Sequence, residues 1–535
     1  MTQRIITLSD DKKRLIITWK GNKEEWRYWY DWLMEKTAYF DADPAFNYAK
    51  KEWSVPYTEQ NASFLMRNTW KFVGDAYIAV KGLKAPTPNA IADLSMVTLK
   101  HIPKEAYPYQ IEAAKFSVKL ERSIIALPPG LGKSLITSIA LAELMNGKPV
   151  LLVCPAFLKI HWQRELMKWS GIDSVVLSGR LANTRIREQP IVYIINYDIL
   201  YYWQDHLARW FPIIVSDECH KLGNPESKRT KAFKELLAGS KRSIFLSGTP
   251  IRNRPLDFWT TLRMTAPKIF NNFNYYKNRF CDAQLGWGGL SYSGASNTEE
   301  LHALVKPIMY RKTKEEVMPD LPKKNFITYN LDVEVTPEFQ KAQAEVAEAL
   351  ANGKPLESCD AVKLLSRSSY ALKRDSIIEW VNDFLESGEK IVIGAYHTAV
   401  MDDLKEAFGV AAVVVDGRVA PQKRQGIVDK FQTDPKVRVF IGQYEAAGVG
   451  FSITAASTLV FAELYYVPAL LEQFGDRIHR MTSTGDHVNY VHFLAVDTIE
   501  GDMLAMLNEK VKNASKILDG VDGKVYLDGE SNSDI

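Results

Sequence analysis

The chain has few cysteines for its length, and the four that it has, Cys154, Cys219, Cys281 and Cys359, lie far apart. Scattered cysteines form neither a zinc motif nor a disulfide framework, so we expect a reducing compartment and no thiolate metal site. An excess of one charge is also lacking, because 67 lysines and arginines oppose 64 aspartates and glutamates. This balance says little about partners, since a nucleic-acid-binding protein need be basic only along its groove.

Long apolar runs, internal repeats and low-complexity tracts are absent as well. No run is long enough to span a bilayer, and the first residues lack the layout of a signal peptide. No basic cluster stands out as a nuclear address. We therefore expect an intracellular protein with no membrane partner. It would be cytoplasmic and nucleoid-associated in a bacterium or phage, and nuclear in a eukaryote.

A length of 535 residues is too great for one hydrophobic core and predicts two to four domains. Short apolar strands alternate with helices from about residue 100 and again after about residue 390, which predicts parallel sheets covered on both faces. The predicted fold is α/β, with two doubly wound parallel-sheet lobes, helical protrusions and a small N-terminal α+β domain. The predicted limits are 1–97 for the N-terminal domain, 98–325 for lobe 1, 326–515 for a protrusion and lobe 2, and 516–535 for a polar tail.

A glycine-rich loop follows an apolar strand and begins a helix. In this context N–H groups at the helix start bind phosphate, a lysine neutralises the β- and γ-oxygens, and a hydroxyl holds Mg²⁺. A plain glycine turn is the alternative, but a Lys-Ser pair at a helix start is better explained by an anion. The candidate ATP ligands are Gly130, Leu131, Gly132, Lys133 and Ser134, with Ser134 also a candidate Mg²⁺ ligand.

Two carboxylates, Asp217 and Glu218, end an apolar strand at the edge where open α/β sheets place ligands. We expect Asp217 to hold Mg²⁺ and Glu218 to orient and deprotonate the attacking water. A strand that ends in two carboxylates usually only adds surface charge. The catalytic interpretation becomes convincing because the glycine loop is present in the same chain.

Gln473, Arg477 and Arg480 are spaced to share one face of a helix. Two arginines from the second lobe would stabilise the charge of a phosphoryl-transfer transition state. The alternative is a solvated basic helix with an Asp476–Arg480 ion pair.

Three further polar residues are candidates near the nucleotide. Ser247 and Thr249 follow a strand and could, with Gln473, link the γ-phosphate region to the other lobe, although alone they indicate a turn. Gln110 could read the adenine edge, whereas the simpler interpretation makes it a helix cap.

The ordered motifs resemble helicase superfamily two, specifically the Swi/Snf-type double-stranded DNA translocases, over about residues 100–515. Further matching segments are 153–155 with Trp162, 196–198, 310–322 and 448–456. Segments 279–283, 292–297 and 461–464 resemble the HARP-type annealing helicases of that family.

This resemblance implies two RecA-like lobes, ATP and Mg²⁺ as cofactors, tracking along duplex DNA, and rewinding of forked DNA. It assigns ATP to Gln110, to the glycine loop and to Gly450, and it suggests Trp162 and Thr454 as DNA contacts. It also implies replication or repair proteins as partners and a monomeric motor.

Residues 46–56 resemble a HARP element, which in that family directs the motor to branched DNA. Trp53 within it could stack on unpaired bases. The alternative is that a small domain needs large aromatics for its core.

Two other functions stay open at this stage. The motor could displace or recycle a DNA-bound protein such as RNA polymerase. Alternatively, the chain could be a nucleotide-switched DNA clamp that binds without travelling.

Overall fold

The structure is a computed structural model. It describes residues 3–20, 23–36, 40, 44–47, 49–67, 70–182, 184–286, 289–351, 360–448, 452–480 and 486–522. Gly450 and residues 523–535 of the predicted tail lie outside the described residues. In the described part of the chain, no helix has the length and apolar character needed to cross a membrane.

The N-terminal region forms a mixed sheet with three helices. Its elements are β1 Gln3–Leu8, β2 Arg14–Lys20, α1 Lys23–Glu35, β3 Ala45–Asn47, β4 Glu52–Pro56, α2 Glu59–Arg67, β5 Lys71–Phe72 and α3 Gly74–Val80. The strand order is β3-β4-β2-β1-β5, antiparallel except for the β1–β5 pair. This is the predicted small α+β unit.

Tryptophans build the core of this N-terminal unit. Trp53 is only 3% exposed and packs with Trp19, Trp70 and Leu33. The proposed role of Trp53 as a base-stacking residue is therefore corrected, because a ring with no free face cannot stack on a base. The small unit uses this aromatic to exclude water from its own core.

Lobe 1 is a seven-stranded parallel sheet. Its elements are α4 Pro108–Lys119, β6 Arg122–Ala126, α5 Lys133–Leu144, β7 Val150–Cys154, α6 Lys159–Ser170, β8 Ser174–Val176, β9 Val192–Asn196, α7 Tyr197–Leu207, β10 Ile213–Asp217, α8 Lys228–Ala238 and β11 Arg242–Leu246. A helical segment follows, with α9 Trp259–Thr265, α10 Phe273–Phe280, β12 Gln284–Gly286, β13 Gly289–Ser291, α11 Thr298–Val305, β14 Met309–Arg311 and α12 Lys314–Val317. The strand order is β14-β6-β11-β10-β7-β9-β8.

Lobe 2 is a six-stranded parallel sheet. Its elements are β15 Lys323–Leu331, α13 Pro337–Ala351, α14 Asp360–Glu386, β16 Lys390–Ala395, α15 Thr398–Phe408, β17 Ala412–Val415, α16 Pro421–Thr433, β18 Val439–Gln443, α17 Tyr444–Ala447, β19 Ala456–Phe461, α18 Pro468–Gly475, β20 His487–Ala495 and α19 Ile499–Asp519. The order is β15-β20-β19-β16-β18-β17. The two-lobed α/β fold is confirmed.

The chain passes from the first sheet to the second between Arg311 and Lys323, shortly before the predicted boundary at 325. The domain limits themselves stay predictions. The last helix, α19, returns to lobe 1, where Arg311 Nε donates to Asp519 Oδ1 at 2.8 Å. His302 Nδ1 lies 3.0 Å from the carbonyl oxygen of Ile517. Both lobes are therefore joined by the end of the chain as well as by the connecting segment.

Candidate nucleotide site between the lobes

The glycine loop runs from the end of β6 into α5. Gly130 and Gly132 have φ angles of 92° and 76°, in the left-handed region that favours glycine. A Cβ at Gly130 would collide with the guanidinium of Arg480, and one at Gly132 with the amide of Gln110. Lys133 Nζ donates to the carbonyl oxygen of Leu127 at 2.7 Å, so the loop curls around the lysine head. The result is a tight cradle of the kind that N–H groups offer to phosphate.

The two carboxylates stand at the carboxyl end of β10, as predicted. Asp217 accepts hydrogen bonds from Trp162 Nε1 at 2.8 Å and from the Glu218 backbone N–H at 2.9 Å. The hydroxyl of Tyr197 donates to the Asp217 carbonyl at 2.6 Å. Glu218 has a φ of 52°, which turns its side chain away from the strand direction. An oxygen set of Asp217 and the Ser134 hydroxyl suits Mg²⁺.

Trp162 was expected at the DNA, and this is corrected. The side chain is 1% exposed and its indole N–H is committed to Asp217. Its role in the structure is to fix the orientation of the carboxylate expected to bind metal. Sequence reasoning missed this role because Trp162 and Asp217 lie 55 residues apart along the chain.

Burial shifts the ionisation of the site in both directions. It raises the pKa of Glu218 to about 7, with the charge of Asp217 adding to the effect. Burial likewise raises the pKa of Asp217 and lowers that of Lys133. Burial, followed by the neighbouring Arg480, lowers the pKa of Arg477 to about 9. Three cations therefore crowd two carboxylates in a dry cleft, which is an environment that a polyanion would stabilise.

The arginines come from a loop of lobe 2 rather than from a helix. Helix α18 ends at Gly475, so the predicted shared helical face does not extend to Arg477 and Arg480. Turns continue the chain, and Arg477 Nε donates back to the Gln473 carbonyl at 3.1 Å. Arg477 is 6% exposed, which rules out the solvated basic helix. Leu470, Phe474 and Ile478 of the same segment are buried.

A series of close polar contacts leads from Glu218 to lobe 2. Glu218 Oε2 lies 3.3 Å from His220 Nδ1, which lies 3.0 Å from Ser247 Oγ. Ser247 Oγ accepts from the Thr249 N–H at 3.1 Å, and Thr249 Oγ1 accepts from Gln473 Nε2 at 2.8 Å. The structure thus brings together the three residues expected to couple the lobes and adds His220, which its place after Asp217-Glu-Cys could have suggested.

Gln110 is a helix cap in the structure. Its Oε1 accepts from the Tyr107 N–H at 2.9 Å, and the Gln110 N–H donates to the Tyr107 carbonyl oxygen at 2.9 Å. Its Nε2 donates to the Leu131 carbonyl at 3.2 Å, so the same amide braces the glycine loop. The adenine contact stays a prediction.

The remaining candidates are in lobe 2. The Thr454 N–H donates to Gln432 Oε1 at 3.2 Å, and its DNA contact stays a prediction. The nucleotide role of Gly450 falls outside the described residues.

The bond from Trp162 to Asp217 gives a first testable prediction. Trp162→Phe keeps the apolar ring but removes the indole donor, and we expect the Mg²⁺ concentration for half-maximal ATPase activity to rise about 10- to 100-fold. A Mg²⁺ titration of ATPase rate measures this. The control is Trp169→Phe on the same helix, which removes an equal 2.8 Å bond to Glu165 Oε2. Equal Mg²⁺ requirements in both variants would contradict the assignment.

Lys314, at the start of α12, holds the arginine loop in place through Asp476. Its Nζ donates to Asp476 Oδ1 at 2.7 Å, with side chains 5% and 3% exposed, and Lys324 Nζ lies 3.7 Å from the same oxygen. Burial alone would raise the pKa of Asp476, but the two lysines outweigh it and hold that pKa well below the ordinary value. Asp476 is therefore held by these two lysines.

Lys314→Met leaves a buried carboxylate short of one partner, and we expect a loss of about 3 kcal/mol in unfolding free energy. Urea denaturation measures it. Lys312→Met is the matched control, because its 3.6 Å pair with Glu316 is 38% and 51% exposed and surface pairs contribute about 1 kcal/mol or less. Adding Asp476→Asn to Lys314→Met should recover part of the loss. No recovery would show that the charge is not the cause.

Comparison with known proteins gives two family matches. Residues 109–359 match the SNF2-related domain, and residues 373–482 match the helicase conserved C-terminal domain. The two matches cover the glycine loop, the carboxylates, the coupling residues and both arginines.

Curated relatives include "SWI/SNF-related matrix-associated actin-dependent regulator of chromatin subfamily A-like protein 1" of Xenopus tropicalis, 32% identical over 78% of this chain and 45% of the relative. The Caenorhabditis elegans homolog is 29% identical over 88% of this chain and 71% of its own length. "DNA annealing helicase and endonuclease ZRANB3" of Mus musculus is 28% identical over 82% and 43%. The chain thus spans about half the length of several of these relatives.

Among solved structures, the "Sulfolobus solfataricus SWI2/SNF2 ATPase core in complex with dsDNA" covers 80% of this chain and 96% of its own, at 23% identity and a TM-score of 0.40.

Proposed function

Because the chain belongs to the SNF2-related family of helicase superfamily two, whose shared activity is DNA-dependent ATP hydrolysis, we propose that it is a double-stranded DNA translocase that reanneals or regresses forked DNA. The fork substrate is supported by relatives that include a DNA annealing helicase. The observation that carries the motor is the meeting of lobe 1 and lobe 2 at Gly130 and Arg480.

In the proposed cycle ATP lies in the glycine loop, with Lys133 at its β- and γ-phosphates. Ser134 and Asp217 would hold Mg²⁺, which when bound would supply positive charge to the phosphate oxygens. Glu218 accepts the proton of the attacking water. Arg477 and Arg480 approach from lobe 2 and stabilise the charge that develops on the transferred group.

Movement follows from the contacts that hydrolysis would change. Gln473 and Thr249 join the lobes at 2.8 Å, and the path from Thr249 through Ser247 and His220 ends at Glu218. Loss of the γ-phosphate would release the arginines, and this path would transmit the change to the relative position of the lobes. Repeated opening and closing on a phosphate backbone moves the protein along DNA.

The test is ATPase activity measured with single-stranded, duplex and forked DNA of matched length. We expect forked DNA to stimulate most and single strands least. The logarithm of duplex affinity should fall linearly with log salt, at about −0.9 per phosphate contact. An ATPase rate that none of the three DNAs increases would overturn the proposal.

Two assays separate the alternatives. Displacement of a third strand from a triplex distinguishes a moving motor from a clamp that binds without travelling. Rewinding of a fork, compared with removal of a stalled polymerase from duplex, distinguishes DNA remodelling from protein displacement. We expect triplex displacement and fork rewinding.

A further inference from the structure

A cavity of about 340 Å³ lies at the seam between the N-terminal unit and the helical segment of lobe 1. Its volume is within the range of small-ligand pockets. Met66, Trp70 and Tyr77 line it from the N-terminal side, and Asn274, Lys277 and Tyr292 line it from the lobe 1 side. Neither side forms the cavity alone.

Direct bonds hold the two walls in register. Arg279 on α10 donates to both oxygens of Asp75 on α3, at 2.7 and 2.9 Å, and also to Glu300 Oε2 at 2.9 Å. The Gly74 N–H donates to Asn278 Oδ1 at 3.1 Å. An arginine that bridges two carboxylates by charge-assisted hydrogen bonds fixes their relative position. The cavity is therefore a fixed feature of the docked units.

The lining combines aromatic faces with positive charge. Lys277 Nζ lies 4.9 Å from the ring centroid of Tyr292, and Lys81 opens to solvent at the N-terminal wall. Within the described residues no carboxylate is paired with Lys277. Asn274 is exposed and carries both a donor and an acceptor. Aromatic faces, unpaired lysine and an amide are the groups that bind a nucleobase and its phosphate.

We propose that this cavity binds one unpaired base of a single-stranded arm of DNA, stacked against Tyr292 or Tyr77, with its phosphate at Lys277 and Lys81. The inference rests on the proposed function, and it identifies where that motor would distinguish a fork from plain duplex. A duplex base is already stacked and paired, so it cannot enter. Because the N-terminal unit and lobe 1 each supply one wall, a bound base would tie the recognition unit to the motor.

The test compares the double variant Lys277→Gln with Tyr292→Leu against the wild-type chain. Binding of a labelled fork with an unpaired arm, and of a blunt duplex of matched sequence, is measured by fluorescence anisotropy. Stacking energies for a single base correspond to a roughly five- to 150-fold loss of fork affinity, and we expect duplex affinity to be retained. The control is Lys228→Gln with Tyr201→Leu, which removes a similar cation–aromatic pair on lobe 1, at 5.3 Å, and should leave fork affinity unchanged.

A second measurement does not depend on how well the variant folds. Forks with 5-iodouracil placed along the unpaired arm are irradiated with the wild-type chain, and the crosslinked peptides are sequenced by mass spectrometry. We expect crosslinks on the peptides that contain Tyr77 or Tyr292. Crosslinks confined to other peptides would overturn the pocket.

The outcomes separate the two proposals. If duplex DNA stimulates the ATPase but the double variant binds forks as tightly as the wild-type chain, the pocket fails and the motor stands. An equal loss in the control variant also overturns the pocket, because the effect is then not local. If no DNA stimulates the wild-type ATPase, the proposed function is wrong. The proposed base-binding role of the cavity, which rests on that function, is then wrong as well.

Discussion

Lys133→Ala is expected to abolish ATP turnover. The lysine is the only cation in the glycine loop itself, and in the structure its ammonium is held inside that loop by the Leu127 carbonyl. Because burial already lowers the pKa of Lys133, its charge is maintained partly by Glu218 and Asp217. A bound triphosphate would take the place of the Leu127 carbonyl as the acceptor for Lys133 Nζ. An alanine side chain has neither the charge nor the hydrogen-bond donor to bind those phosphate oxygens. A coupled ATPase assay with saturating DNA measures the effect.

The control for Lys133→Ala is Lys148→Ala, also in lobe 1. Its pair with Glu188 is 3.7 Å long, with side chains 57% and 70% exposed, so the variant should turn over ATP like the wild-type chain. Thermal melting of both variants excludes unfolding as the cause. Measurable turnover by a folded Lys133→Ala chain would remove the lysine from the catalytic role.

Arg480→Ala should slow turnover by about 10³-fold or more while nucleotide binding largely survives. Its guanidinium lies against Gly130 from the opposite lobe, where it can reach charge that forms during transfer but contributes less to the ground state. Single-turnover kinetics and binding of a fluorescent ATP analogue separate the two steps. Arg477→Ala should behave similarly, because Arg477 is buried next to Arg480.

Arg374→Ala is the matched control for the arginines of lobe 2. Its side chain is 39% exposed and pairs with Asp403 at 2.8 Å, away from the glycine loop. We expect wild-type turnover from it. If Arg480→Ala weakened nucleotide binding as strongly as it slowed turnover, the residue would be a ground-state ligand and not a transition-state one.

The sequence predicted the lobes well because parallel strands buried on both faces are short, apolar and bounded by turns. The strand expected before the glycine loop is β6, the helix expected after the loop is α5, and the strand expected before the two carboxylates is β10. The glycine loop was placed equally well, because its chemistry requires adjacent residues in one order. Local patterns of this kind are encoded in neighbouring residues.

Contacts between distant segments were not predictable in the same way. Lys314 pairs with Asp476 across 162 residues, and Trp162 reaches Asp217 across 55. Nothing in the residue types marks such partners before folding brings them together. The helix predicted through Arg480 ends at Gly475, where a Cβ would meet the Tyr490 ring. Trp53 could be interpreted in two ways because a tryptophan suits a core and a base equally well.

The pairing of β15 with β20 also bears on how the chain folds. Lys323–Leu331 lies parallel to His487–Ala495 along the whole length of both strands. The first strand of lobe 2 therefore cannot pair until the last strand of lobe 2 has been synthesised. Contacts between such distant residues slow folding, because a long loop must close before they are gained. During synthesis most of lobe 1 can assemble while β15 still has no partner strand, and its unpaired edges are then sites for unwanted strand pairing. The ribosome must release nearly the entire motor before lobe 2 can close its sheet.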